Sequence, residues 1–470
     1  MGSDGDIKNL LEEVLGEVKQ LREENKQLRE ENKQLRAENE QLRGRVSELE
    51  DQLLESQRAA KRQAAPFRRS KKKPKKKHKK SGRKKGHDPA FRAPPEKIDR
   101  TVEALLGEHC PQCSGGLDDR RFHEHYVTDI PPILPFTTKY ITESAFCSCC
   151  QQRWNSTHPE LPSFATGSAG VMIGHRAVAL AAQMRTEFGA SFNKIASFLT
   201  TAFSLQISPS GVLGILKRAG DSLQASCDEI VSQLRDSSRV CADETSWRLS
   251  CESAWAWVFA SDSETFYVID RSRGHRVVKE LLGSNFEGFL QSDCFSAYLP
   301  LRYKKAKCLA HLIKDLVAAQ ELQKDSSEEK FPKSALKIFR DAIKLRGQYE
   351  DLPIKQYQVA VWKLEKRLDR LLARKSTSEH NRRLANRIRR HREEWLPFLY
   401  HLEVDATNNL AERQIRPFVI CRKLSAGNRS DWGAELQTTI MSIFATCRQR
   451  GLDFVSVLTD ALAQPHLAHL

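Results

Sequence analysis

The spacing of apolar residues changes several times along the chain, and each change marks an element. Between residues 7 and 56 the repeat is seven. Ile7, Val14, Leu21, Leu28, Leu35, Leu42 and Leu49 form one seam, and Leu11, Val18, Asn25, Asn32, Asn39, Val46 and Leu53 the other. Leucine along d with valine or asparagine at a favours a parallel two-stranded coiled coil, where each buried asparagine lowers stability but fixes register. Glu24, Glu31 and Glu38 fall at g and Arg29, Arg36 and Arg43 at the following e, so opposite charges face each other across a parallel pair. Residues 1–57 are therefore expected to form a zipper that makes the chain a homodimer or a higher assembly.

Further along, residues 165–237 are helical in period, through Val178 to Leu180, Met184, Ile195, Phe198, Leu199, Val212, Ile215 and Leu216. Ser208-Pro209 supplies an N-cap with proline at the first helical position. The stretch reads as a helical domain of DNA-binding type, although the long turn before that helix makes a weak helix-turn-helix signal. The period then shortens. Residues 239–247, 254–260, 265–269 and 288–291 are short runs rich in Val, Phe, Trp and Tyr bounded by turn residues, which read as strands. A helix over residues 275–283 precedes the fourth, and a fifth strand over residues 304–307 runs into another helix. Three strands in hairpin order, a helix and a return strand predict a mixed sheet with a crossover. Residues 319–400 return to helical period as an insertion with a basic face around residues 382–392, and residues 401–470 close the chain with helices.

The chain has 470 residues, too many for a single core, so a multidomain α/β protein is expected. Its net charge is +16, and the excess is concentrated. Lys71, Lys72, Lys73, Lys75, Lys76 and Lys77 lie in a block within residues 58–95 that repels itself, reads as a disordered linker, and would grip phosphates without reading sequence. Double-stranded DNA is the expected partner. No stretch of 18 apolar residues exists to span a membrane, and the polar N-terminus lacks the pattern of a signal peptide, so a cytoplasmic location is expected.

Twelve cysteines in such a chain suggest thiols and a metal more than a disulfide framework. Cys110 and Cys113 form one Cys-x-x-Cys knuckle, and Cys147 and Cys150 a second, within a module over residues 96–160. Four such thiolates suit a structural Zn²⁺, and the long interval between them suggests a ribbon with a β-hairpin between the knuckles. Cys149 leaves the second knuckle slightly ambiguous. His123 and His125 read as exposed strand residues.

Carboxylates punctuate the strand region. Asp243 lies on the first strand and Asp293 just past the fourth, so the two converge if those strands are neighbours. Glu412 follows in a segment where Asp405, Thr407 or Asn408 can cap a helix on which Glu412 and Arg416 share a face. An Arg416 pair or a capping box would also account for that glutamate. His311 could sit near a metal but reads rather as a core histidine, and the basic loop over residues 422–430 reads as a phosphate contact.

These segments together resemble the transposases of insertion-sequence family 66, DDE enzymes with an RNase H-like catalytic core. The likeness rests on Ala-Asp243-Glu-Thr-Ser-Trp247, Ser-Asp293-Cys-Phe-Ser-Ala-Tyr298, Cys308-Leu-Ala-His311, Asn408-Asn-Leu-Ala-Glu412-Arg-Gln-Ile-Arg416-Pro417 and Gly427-Asn-Arg-Ser430. By that match Asp243, Asp293 and Glu412 take the three catalytic positions of a core built from residues 238–318 and 401–470. Hard carboxylate oxygens suit two Mg²⁺ or Mn²⁺ ions. Ions about 3.5–4 Å apart activate an attacking oxygen and stabilise a leaving one, so water can nick a transposon end and the freed 3′-hydroxyl can attack target DNA. Arg413, Arg416, Arg422 and Lys423 would neutralise nearby phosphates. The family also implies a prokaryotic, nucleoid-associated protein with accessory transposition partners. The competing readings are an inactive dimeric DNA-binding protein and a metal nuclease that cleaves without joining.

Overall fold

The computed structural model describes most positions between 16 and 45, residues 92–161 except 157 and 159, and residues 172–463 except 325, 375 and 377. The lysine block, Lys71 to Lys77, and the ends of the expected zipper lie outside the described residues. The chain divides into two compact units, Met1–Arg121 and Phe122–Leu470, a boundary inside the stretch expected to form one zinc module.

In the first unit the described positions between 16 and 45 are helical. Leu35 and Leu42 are about half exposed there. The knuckle at Cys110 is a tight turn: the Ser114 N–H donates to Cys110 O, and the Cys110 N–H to Gly115 O, both at 2.9 Å.

In the second unit, strands β1 (Ser144–Cys147) and β2 (Gln152–Asn155) form an antiparallel hairpin in which Cys147 ends β1 and the turn, residues 148–151, holds Cys149 and Cys150. The hairpin is thus built on the second knuckle, not between the knuckles as expected. The intervening residues run without regular strand, and His123 and His125 are exposed there but not in a strand. Pro131, Pro132 and Pro135 lack the N–H groups a ladder through residues 131–135 would need.

Helices α1 (His175–Thr186), α2 (Phe192–Phe203), α3 (Pro209–Ser222) and α4 (Gln224–Asp236) follow. Ser208 caps α3 by accepting the Gly211 N–H at 3.0 Å, with Pro209 at its start as the sequence predicts. Then comes a five-stranded sheet: β3 (Arg239–Leu249), β4 (Glu252–Ala260), β5 (Thr265–Asp270), β6 (Phe289–Ser292) and β7 (Lys304–Lys307), in the order β5-β4-β3-β6-β7. The first three strands are antiparallel neighbours, and β6 and β7 run parallel to β3. The β3–β4 hairpin turns on Ser250 and Cys251, both with positive φ (52° and 67°), an arrangement that matches strand twist.

The period of two sorts the sheet into faces. Val240, Ala242, Trp257, Phe259 and Leu290 point to a core shared with α1–α4, α5 (His275–Leu282), α11 (Asp431–Arg450) and α12 (Phe454–Ala463). Cys241, Trp247, Ala256, Val258 and Tyr267 point the other way, onto α10 (Asn409–Ser425) and α11. Between β7 and α10 the chain makes α6 (Leu309–Leu322), α7 (Lys330–Arg346), α8 (Ile354–Ala373) and α9 (Glu379–Arg390) around a core of their own. Among the described residues no helix is long and apolar enough to cross a membrane.

Candidate active site

Strand register brings the first two carboxylates side by side. Cys241 of β3 pairs with Gln291 of β6 in a parallel ladder, so two residues further on Asp243 comes level with Asp293. Asp243 has the parity of Cys241 and Trp247 and lies on the face that α10 covers. Glu244 has the opposite parity. Its buried carboxylate accepts from Arg273 and from the Tyr298 hydroxyl, both at 2.8 Å, and Arg273 in turn stacks over Trp255 and Phe295. Alternation alone therefore separates two adjacent acids into a site residue and an internal brace.

The turn carrying Asp293 is held from below. The Phe295 N–H donates to Asp293 Oδ1 at 2.8 Å. Lys307, its side chain fully buried, donates to Asp293 O at 2.8 Å and to Ser292 Oγ at 3.1 Å, with the Tyr298 ring 5.4 Å away.

Glu412 reaches the same place through a segment stitched to three elements. Gln291 Nε2 donates to Asp405 O at 2.7 Å and to Thr407 O at 2.9 Å. The Leu309 N–H donates to Ala406 O at 2.9 Å, and the Asn408 N–H to Cys308 Sγ at 3.1 Å. Asn408 Nδ2 donates to Ala242 O at 2.8 Å, just past the last residue of β3 that ladders with β6. Arg239 bonds to Asp405 as well. Helix α10 then begins at Asn409, with Asn408 as its cap residue by position while its side chain serves the sheet. Ala411, Ile415, Phe418 and Cys421 make the buried stripe at helical spacing, and Glu412 sits beside it in the first turn, where the helix dipole favours a negative charge.

The electrostatics register the convergence. Burial, chiefly, pushes Asp243 up to about 7, aided by the charges of Glu244, Asp293 and Glu412 and opposed by the Glu244 N–H bond at 2.9 Å. Carboxylate oxygens are hard donors of the kind a divalent cation takes.

His311 is half exposed, its Nδ1 3.9 Å from Glu412 Oε1, and so is not the core histidine the sequence suggests. It sits at the start of α6, where its helical neighbours Leu309 and Leu312 take the buried positions. A hydrogen bond with Cys308 raises its pKa to about 9 despite partial burial, with the Cys308, Glu412 and Asp293 charges adding to the rise.

The basic residues separate by position. Arg413, Arg416 and Lys423 are exposed on α10. Arg422 bonds Thr245 Oγ1 at 2.9 Å and the Ser246 carbonyl and hydroxyl at 2.5 Å, which pins the end of α10 to β3. The loop after α10 is a clasp. Trp247 Nε1 donates to Asn428 Oδ1 at 2.9 Å, and Asn428 Nδ2 donates to Gly433 O at 2.9 Å and Gln437 Oε1 at 3.1 Å. Gly427 (φ +139°) is required where it stands, because a Cβ would meet Arg248 O at 2.2 Å. In the two knuckles, backbone N–H groups of Gln112 and Cys113 lower the Cys110 thiol, and those of Cys150 and Cys149 lower Cys147.

Sequence reasoning gave no role to Gln291 or Lys307, which read as ordinary strand residues, and it met Cys308 and Asn428 only inside motifs and Asn408 only as a cap candidate.

A family model described as Transposase IS66 family matches residues 170–436, more than half of the chain and nearly all of the sheet with its helices. The uncharacterized protein y4qI of Sinorhizobium fredii (strain NBRC 101917 / NGR234) is 25% identical over 281 residues, covering 52% of this chain and 51% of that protein. The uncharacterized protein y4hP of the same organism is 24% identical over 272 residues, covering 52% and 48%. The chain thus spans about half the length of these curated relatives. With the matched region running from the helical domain through all five strands to α11, the chain belongs to the IS66 family of transposases.

Proposed function

We propose that this transposase is a DDE-type, divalent-metal-dependent enzyme that cleaves DNA strands at transposon ends and transfers them into target DNA. One observation carries the reading: Asp293, at the end of the strand parallel to β3, and Glu412, on a helix beyond the insertion, both lie near enough for their charges to help raise the buried Asp243 carboxyl. Three antiparallel strands followed by two parallel ones, in the order β5-β4-β3-β6-β7, also match an RNase H-like core.

Asp243, Asp293 and Glu412 would hold two Mg²⁺ or Mn²⁺ ions. Bound there, the ions supply Lewis acidity to the attacking and leaving oxygens of an in-line displacement. The protein's own part is positioning. Lys307 and the Phe295 N–H fix Asp293, while the stitching by Gln291, Cys308 and Asn408 fixes the approach of α10. Arg413, Arg416 and Lys423 offer exposed charge to DNA phosphates. From the sequence the reading retains the zipper dimer, phosphate gripping by the lysine block, and a structural Zn²⁺ on the four knuckle thiols.

Labelled candidate-end duplex incubated with protein and Mg²⁺ tests the proposal. Joined products support it. Nicks alone identify a nuclease, and a mobility shift without cleavage identifies a DNA-binding protein.

A further inference from the structure

Beside the carboxylates lies a donor set of different chemistry. One ligating atom each from Cys308, His311 and Glu412 lies within 4.8 Å of the others, with Cys308 buried and the other two exposed. A thiol and an imidazole are donors for zinc, not for magnesium. The surroundings favour the thiolate: Cys308 is the cap residue of the 14-residue helix α6, and its sulfur accepts the Asn408 N–H at 3.1 Å. Asn408 Oδ1, from a residue only 1% exposed, is buried without a hydrogen-bond partner, leaving one acceptor in hand at this junction. Tetrahedral zinc holds such donor atoms roughly 3.3–3.5 Å apart, given bonds of about 2.0–2.3 Å. The His311–Glu412 separation of 3.9 Å is already close to that, and both side chains are free to adjust.

We propose that Cys308, His311 and Glu412 form an inhibitory site for Zn²⁺, distinct from the cysteine knuckles and overlapping the carboxylate site at one residue. The two sites share Glu412. A carboxylate closed onto zinc beside His311 is withdrawn from Asp243 and Asp293, so zinc occupancy and magnesium-dependent cleavage exclude each other. The fourth zinc position is left to water. The inhibitory part rests on the function proposed above, whereas the binding part stands on the donor geometry alone.

Co²⁺ titration of the full chain, followed by the thiolate-to-cobalt charge-transfer band, tests the binding. The knuckles contribute equally to every variant, so the readout is the difference between proteins. Wild type is expected to bind one more thiolate-linked Co²⁺ per chain than Cys308→Ser or His311→Gln. The second variant changes a half-exposed side chain and guards against a folding defect in the first. Equal stoichiometry in all three overturns the site. In Mg²⁺ buffer, low-micromolar Zn²⁺ should then inhibit strand cleavage by wild type and spare Cys308→Ser relative to its own zinc-free rate. Equal inhibition of both overturns the regulatory role. Absence of cleavage with the cobalt difference intact would count against the proposed function and not against the metal site.

Discussion

Gln291 offers the sharpest test of how the third carboxylate is held. Its side chain is fully buried in β6, and one amide nitrogen serves the carbonyls of Asp405 and Thr407, two residues of the segment that launches α10. Gln291→Met keeps length and volume but removes the donor. Two carbonyls then lose their partner, at about 1–3 kcal/mol each when no replacement is found. Asp405 is exposed on its side-chain side, so water relieves part of the loss and a total of roughly 2–4 kcal/mol is expected. For a domain of this size that lowers the melting temperature by about 5–10 °C. The same change frees α10 to shift, so the stabilisation that Mg²⁺ gives the wild-type melt should shrink in the variant. Thermal unfolding by circular dichroism with and without Mg²⁺ measures both. A variant melting within about 1 °C of wild type, the range of an inert surface change, would refute the idea that these bonds position the helix.

Other expectations follow from the same geometry. The carboxyl of Asp243 titrates near 7 in the fold against 3.8 when unfolded, so the unfolded chain releases its proton first and metal-free stability falls as pH rises from about 4 to 7, staying low above that. Asp243→Asn should therefore melt higher than metal-free wild type at pH 8, lose that advantage near pH 4, and retain DNA binding while abolishing cleavage; a wild-type melting temperature flat across this window would contradict it. Asn428→Ala leaves the Trp247 N–H without its acceptor, and a loss of about 1–3 kcal/mol is expected by denaturant titration. Changing Asn25, Asn32 and Asn39 together to Val should alter oligomeric state or register; light scattering that reports an unchanged dimer would argue against buried asparagines.

Much of the sheet could be read from residue pattern because its strands carry strong local signals. The runs at residues 239–247, 254–260 and 265–269 became β3, β4 and β5, and the parallel return placed Asp293 level with Asp243 as expected. The choice between Asp243 and Glu244 is legible only through parity, since both are acids in one motif. What could not be read is long-range polar bonding. Lys307 ends a Lys-Lys-Ala-Lys run that reads as surface, yet its amine is internal because the Asp293 turn and Ser292 need a donor there. The Ser250-Cys251 hairpin lacks the glycine or asparagine that usually marks such a turn, and only its φ angles identify it. His311 was misjudged because a single histidine near apolar residues looks internal, and the rotation of α6 is set by a core more than eighty residues long.

The insertion between β7 and α10 has a consequence for synthesis of the protein. Asp243 and Asp293 leave the ribosome with their strands, but Glu412 emerges only after α6 to α9 have been made. At about 5–20 residues per second that delay is on the order of ten seconds. During it the nascent chain holds a nearly finished sheet, an uncovered α10-facing surface and no third acid. On the function proposed above, competence for strand chemistry would arise only after Glu412 has been made, while the chain is still beside the message that encodes it.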